Sequence, residues 1–135
     1  MMSEICTGLS AERSITVGKE LTASHFGSGT VDVYATPAMI NLMEAAALAA
    51  IEPYLESGQT SVGVSFDMRH LAATPVGQRV TARAEVTAIE GKRITFAVQA
   101  WDEKEFIGVG FHGRVVVNKE KFFDKVKRKS NPPAG

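Results

Sequence analysis

The chain has one cysteine and one tryptophan among 135 residues, and fifteen basic residues cancel fifteen acidic ones. A lone Cys6 excludes an internal disulfide and suits a reducing compartment. It lies in a polar N-terminal stretch, a poor setting for a thiol nucleophile. Zero net charge leaves no global field to attract nucleic acid or an anionic membrane. No apolar run approaches the ~20 residues that cross a bilayer, and the opening MMSEICTGLSAERS lacks the apolar core of a signal peptide. These absences lead us to expect a soluble cytoplasmic protein without a nucleic-acid or membrane partner. At 44% hydrophobic residues, the chain can form one domain with a substantial core.

Its most apolar helical segment is PAMINLMEAAALAAI, Pro37 to Ile51, in which only Asn41 and Glu44 are polar. Thr36 reads as the N-cap and Pro37 as the first helical residue. Asn41 and Glu44 are three apart and share a face. A helix apolar nearly all round belongs in the centre of a fold. A carboxylate there is costly unless paired, hydrogen-bonded or protonated, conditions common at catalytic sites. The plainer reading is a glutamate at the helix rim, ion-paired or reaching water.

Around this helix the sequence alternates. Ser14 to Ser24 reads as a first strand and His25 to Val33 as a glycine-rich loop. After a turn at Ser57 and Gly58, Val62, Val64, Phe66 and Met68 form one apolar face. Val80, Ala82, Ala84, Val86 and Ala88 form a second, and Ile94, Phe96, Val98 and Ala100 a third. A further strand is FIGVGFHGRVVVN, and Glu90-Gly91-Lys92 is a tight turn. Such alternation marks antiparallel strands covered on one face. A strand, a central helix and a four-strand meander give an α+β fold of the hot-dog arrangement, an antiparallel sheet wrapped around a long helix. The expected organisation is a flexible tail at 1–13, one domain at 14–129 and a C-terminal tail at 130–135. Within it, KEKFFDKVKRKS reads as a short basic surface helix with Phe122, Phe123 and Val126 on its inner side.

His70 is the next even position after Met68, so a regular strand points it toward the helix that carries Glu44. An acid and a histidine aimed at one helix–sheet interface form a plausible acid–base pair; a histidine satisfied by a backbone carbonyl is the alternative. Thr36 offers a hydroxyl at the helix start, yet eight residues separate it from Glu44, about 12 Å along a helix axis. The two meet only if the cap folds back or a second subunit supplies one of them. His25 and His112 are less informative, and with His70 they lack metal-ligand spacing. No phosphate-binding glycine loop is present, and Gly108, Gly110 and Gly113 read as bulge or close-packing positions. Arg114 falls off the apolar parity of Ile107, Val109, Phe111, Val115 and Val117 and is expected to face outward unless a bulge reverses it.

Three stretches, YATPAMINLMEAAALAAIEPYLESGQTSVG, HLAATPVGQRVTARAEV and EKFFDKVKRKSNPPAG, resemble the hot-dog thioesterases of the fluoroacetyl-CoA thioesterase type. The resemblance covers most of the chain beyond the N-terminal tail. It implies a catalytic set of Thr36, Glu44 and His70, with Gly63 near the acyl group and Arg114 near the polar end of the substrate. It also implies hydrolysis of an acyl-CoA thioester by a homodimer, with pairing of dimers into a tetramer left open, and without metal or cofactor. Glu44 would attack the carbonyl or activate water, Thr36 would support it, and His70 would assist proton transfer. In the fluoroacetyl enzyme, phenylalanines before the threonine gate the acyl pocket. Here Gly27 and Thr30 occupy those positions, so hydrolysis of short or medium acyl-CoAs without strict fluoroacetyl selectivity is expected. The alternative is a non-catalytic hot-dog module that binds acyl-CoA or a related metabolite. A third reading is a hot-dog hydratase, but the His–Asp pattern expected of one is not evident in this sequence.

Overall fold

Val80, Ala82, Ala84 and Val86 on one strand and Ile94, Phe96, Val98 and Ala100 on the next occupy alternate positions, and all eight are buried. They form the centre of a five-stranded sheet in the computed structural model, which describes residues 5–131. The strands are β1 (Ser10–Thr16), β2 (Gln59–His70), β3 (Arg79–Glu90), β4 (Arg93–Trp101) and β5 (Phe106–Asn118). They pair antiparallel in the order β1-β3-β4-β5-β2. Gly91, with φ +61°, makes the expected tight turn between β3 and β4, where a side chain would be strained. A register shift after Val86 ends the apolar run early, so Ile89 packs on the core in place of the expected Ala88.

Against the inner face of the sheet lies the long helix. Among the described residues there are also two short α-helices, so we label α1 (Ala23–Phe26), α2 (Thr36–Ile51) and α3 (Lys119–Lys127). Ala38, Met39, Leu42, Met43, Ala46, Ala47, Ala50 and Ile51 bury one side of α2. The opposite stripe of Ile40, Asn41, Glu44 and Leu48 stays half-buried or exposed. This is the hot-dog fold, with the helix covered on one side only. Pro53 cannot supply the next helical N–H, and α2 tightens into a 3₁₀ turn at Glu52–Tyr54. No helix of the described residues is long and apolar enough to cross a membrane.

Four local expectations change. First, the ordered structure begins earlier than residue 14: Ser10–Arg13 pair with β3, and Ile5 is buried. Ladder hydrogen bonds hold that segment, and they leave no hydrophobic pattern to read. Residues 130 and 131 end a short 3₁₀ segment, and the rest of the expected C-terminal tail lies outside the described residues. Second, Ser14 to Ser24 is not one strand, because β1 stops at Thr16 and the chain turns toward α1, which Thr22 caps by accepting from the His25 N–H. Third, the regularity of β2 breaks between Gly63 and Ser65, where Val64 bulges out of register. Fourth, from Gly108 onward β5 presents its even residues inward, leaving Val109 and Phe111 on the outside at 42% and 57% exposure. Helix α3 forms as expected, but Phe122, Phe123 and Val126 are exposed rather than packed inward.

Candidate active site

The first residue of α2 is Thr36 itself. Ala35 is the N-cap and makes no side-chain cap bond, so the threonine hydroxyl is not used to cap the helix as its position suggested. That hydroxyl instead lies 2.7 Å from His70 Nδ1 at the end of β2. His70 points inward because Phe66, Met68 and His70 resume alternation after the bulge. Burial holds its ring below the ordinary histidine value, with the Ala72 backbone pulling it part of the way back. The ring is therefore neutral near pH 7 and able to take up a proton. The pair borders a cavity of about 790 Å³ lined also by Ser28, Tyr34, Ile40 and Leu71.

Glu44 belongs to a different cluster. Two turns farther along α2, it meets the other half of β2 and the middle of β5. Its Oε2 is 3.7 Å from Arg114 Nη1 and 3.9 Å from His112 Nε2. The Glu44 side chain is 39% exposed, so the plainer expectation, a paired glutamate at the helix rim, describes it. Gly63 completes the group: a Cβ added there would lie 2.8 Å from Glu44 Oε2 and 3.2 Å from His112 Cε1. The glycine lets the carboxylate approach the strand.

Arg114 faces inward, contrary to the parity expectation. Beyond the irregularity at Ile107, which is buried, the apolar odd positions Val109 and Phe111 lie on the outer face of β5. Its inner face carries Gly108, where a side chain would run into Met39 and Met43, followed by His112 and Arg114. The guanidinium is buried at 7% exposure. Its Nε donates to Ser61 Oγ at 2.8 Å and its Nη2 to the Ser61 carbonyl at 3.0 Å. Burial lowers the Arg114 value and Glu44 opposes that shift; the group stays a cation at any working pH.

Glu44 and His70 are thus placed in separate groups within one chain, Glu44 with Gly63 and Arg114, His70 with Thr36. The expected direct acid–histidine pair is not formed inside a single subunit.

The family described as fluoroacetyl-CoA-specific thioesterase matches residues 17–120, most of the chain and all of these residues. The protein belongs to that family. The fluoroacetyl-CoA thioesterase of Streptantibioticus cattleyicolor is 45% identical over 104 residues, which cover 77% of this chain and 73% of that protein. A threonine-to-serine variant of the thioesterase FlK, solved in complex with acetyl-CoA, superposes with a TM-score of 0.87 at 35% identity, covering 94% of this chain and all of the other. A thioesterase superfamily member of Thermus thermophilus gives 0.87 at 34% identity, with 93% of each chain covered. Membership makes the protein a hot-dog thioesterase; its acyl group is a separate question.

Within this thioesterase the residue that sequence reasoning passed over is His112. It is 1% exposed, its ring is tilted against that of Phe66 at 4.5 Å, and its Nδ1 lies 2.8 Å from the Ser65 carbonyl. The signal was its parity: His112 and Arg114 are two apart on one strand and so share a face, yet only the apolar residues were used to decide which face is inner.

Proposed function

We propose that the protein hydrolyses short or medium acyl-CoA thioesters to the free acid and CoA, without strict fluoroacetyl selectivity. The observation that carries this reading is the Thr36–His70 contact of 2.7 Å on the wall of a cavity large enough for an acyl-thioester group. A neutral histidine bonded to a hydroxyl can move a proton as a thioester carbonyl is attacked. Glu44 supplies either the attacking carboxylate or the base that removes a proton from water. When water attacks, its oxygen bonds to the acyl carbon, one of its protons passes to the base, and the C–S bond breaks as that proton is delivered to the leaving thiolate, giving the acid and CoA. When the carboxylate attacks, the C–S bond breaks as a mixed anhydride forms on Glu44, the thiolate leaves with a proton, and water then cleaves the anhydride to the acid and free Glu44. Arg114 would hold the polar end of the substrate, and Gly63 leaves space for the acyl carbon.

A two-fold dimer would join the two half-sites. Strand β2 ends the sheet and has a free edge. Pairing it antiparallel with its own copy about an axis between Phe66 and Asp67 sets residue 63 of one chain opposite residue 70 of the other. The open stripe of Ile40, Glu44 and Leu48 would be covered by the same contact. Mixed subunits test the arrangement. Glu44→Gln and His70→Asn homodimers should each be inactive, while random mixing should recover up to about a quarter of wild-type turnover, since one of two sites in each heterodimer is intact. No recovery, or a monomer by light scattering at micromolar concentration, argues against the shared site.

Thiol release from a panel of acyl-CoAs tests the reaction itself. Glu44→Gln should lower turnover at least about 100-fold, the scale of acid–base assistance, with the fold intact. Near-normal turnover in that variant removes Glu44 from the mechanism. A panel that raises the melting temperature without releasing thiol would support a binding module instead.

A further inference from the structure

We infer that His112 is a positioning residue for thioester hydrolysis, fixing the guanidinium of Arg114 and through it the carboxylate of Glu44. The inference rests on the functional reading of Glu44 given above. Its starting point is the tautomer. A backbone carbonyl can only accept, so the 2.8 Å contact from His112 Nδ1 to the Ser65 oxygen places a hydrogen on Nδ1. Arginine can only donate, so the 3.2 Å contact between Arg114 Nη1 and His112 Nε2 requires a lone pair on Nε2. Both demands are met by one neutral tautomer. Burial and the neighbouring Arg114 cation both favour that uncharged form, while Ser65 and Glu44 oppose them.

A neutral His112 cannot be an ionic partner of Glu44, although the two atoms are 3.9 Å apart. Its lone pair would face the carboxylate unfavourably without a donor near both. Arg114 Nη1 is that donor, 3.2 Å from the imidazole nitrogen and 3.7 Å from the carboxylate oxygen. The guanidinium is then held at three points: Nε and Nη2 by Ser61, Nη1 by His112. Its remaining attraction is directed at Glu44. The imidazole in turn is held by Ser65 and packed between Phe66 and Phe96, at ring separations of 4.5 and 6.1 Å. A buried guanidinium and imidazole bonded at each of their nitrogens tolerate few alternative geometries. A carboxylate that must meet a reacting atom benefits from that restriction, because an error of about 1 Å can cost about 100-fold in rate.

Two variants separate positioning from packing. His112→Phe keeps an aromatic ring between Phe66 and Phe96 but removes both nitrogens. His112→Gln loses the ring and keeps an acceptor for Arg114. If His112 positions the pair, Phe lowers kcat by about 10- to 100-fold with KM changed far less, and Gln restores most of it. The guanidinium nitrogens of Arg114 should also give distinct, slowly exchanging NMR signals in the wild type and averaged signals in His112→Phe. Should the Phe variant fail to fold, His112→Met takes its place as the variant without a strong acceptor. Wild-type kcat in the Phe or Met variant, equal loss in the Gln variant, or unchanged Arg114 signals would overturn the inference. Glu44→Gln is measured alongside. If it turns over normally, the functional reading fails and carries this inference with it. An inactive Glu44→Gln beside a normal His112→Phe refutes the positioning role alone.

Discussion

Replacing Gly63 with alanine adds one methyl group at the point where α2 and β2 come closest. The added carbon would lie 2.8 Å from Glu44 Oε2, whereas ordinary van der Waals contact begins at 3.4 Å, so the carboxylate must retreat by about 0.6 Å. His112 Cε1 at 3.2 Å and Arg114 Nη1 at 3.6 Å are the other neighbours. Both belong to groups pinned by hydrogen bonds, whereas the half-exposed Glu44 carboxylate is held only by its longer ion-pair contact with Arg114, so the glutamate yields. Taking 1 Å of misplacement as about 100-fold in rate, 0.6 Å corresponds to a loss of about 15-fold, or ~1.6 kcal/mol of barrier. The fold should be little affected, because the clash is with the end of a side chain rather than with backbone, and β2 residues favour extended backbone. The assay is steady-state thiol release with a melting curve on the same sample. A wild-type kcat at an unchanged melting temperature would show that the position of Glu44 does not matter. A large fall in melting temperature would show that the clash is relieved by the backbone.

Three further outcomes follow from other parts of the molecule. His70 and His112 both release their protons more readily when folded than when unfolded. Stability should therefore be complete above the ordinary histidine value of ~6.5 and decline as pH falls toward their lower folded values; His112→Gln should flatten that decline in a series of melting curves. Changing Lys125, Lys127 and Arg128, all exposed, to glutamine should raise KM for acyl-CoA at low salt and less so at high salt, and an equal effect at both salts would exclude long-range attraction. With Gly27 and Thr30 in the segment before α2, the preference for fluoroacetyl- over acetyl-CoA should stay below about 200-fold. Side-by-side specificity constants several orders of magnitude apart would refute the open-gate reading.

The long helix, the β3–β4 pair and the hot-dog order are legible in the sequence because each rests on a repeating apolar period. The same reasoning misplaced β5 for a physical reason. Its inner face must fit close against Met39 and Met43, so it uses glycine there, while Val109 and Phe111 face outward. Apolar parity then points the wrong way, and Arg114 looks solvent-facing when it is buried. Thr36 misled in another manner, since a threonine before a proline at a helix start resembles a cap, and its hydroxyl reaches His70 only because the fold brings the end of β2 beside the start of α2. Among the candidate site residues, Glu44 and His70 are recognisable as unusual, and the eight residues between Thr36 and Glu44 already set those two apart. That His70 joins Thr36 while Glu44 joins Arg114 and His112 is not legible, because it depends on where along β2 each one lands.

The irregularity at Val64 has a consequence for changing this chain by insertion or deletion. Ser61 and Gly63 have odd numbers, while Phe66, Met68 and His70 have even ones, yet all serve the same side of the strand. The bulge supplies the half-period that reconciles them. Removing Val64 would leave a uniform zigzag in which Gly63 and Phe66 stand two apart, so the carboxylate end and the histidine end would keep their common face. An insertion of one residue in the regular stretch between Phe66 and His70 would instead turn the histidine end to the opposite face, with every side chain chemically intact, whereas an insertion of two keeps the phase and merely lengthens the strand. Grafting this strand into another scaffold therefore requires copying its count as well as its residues.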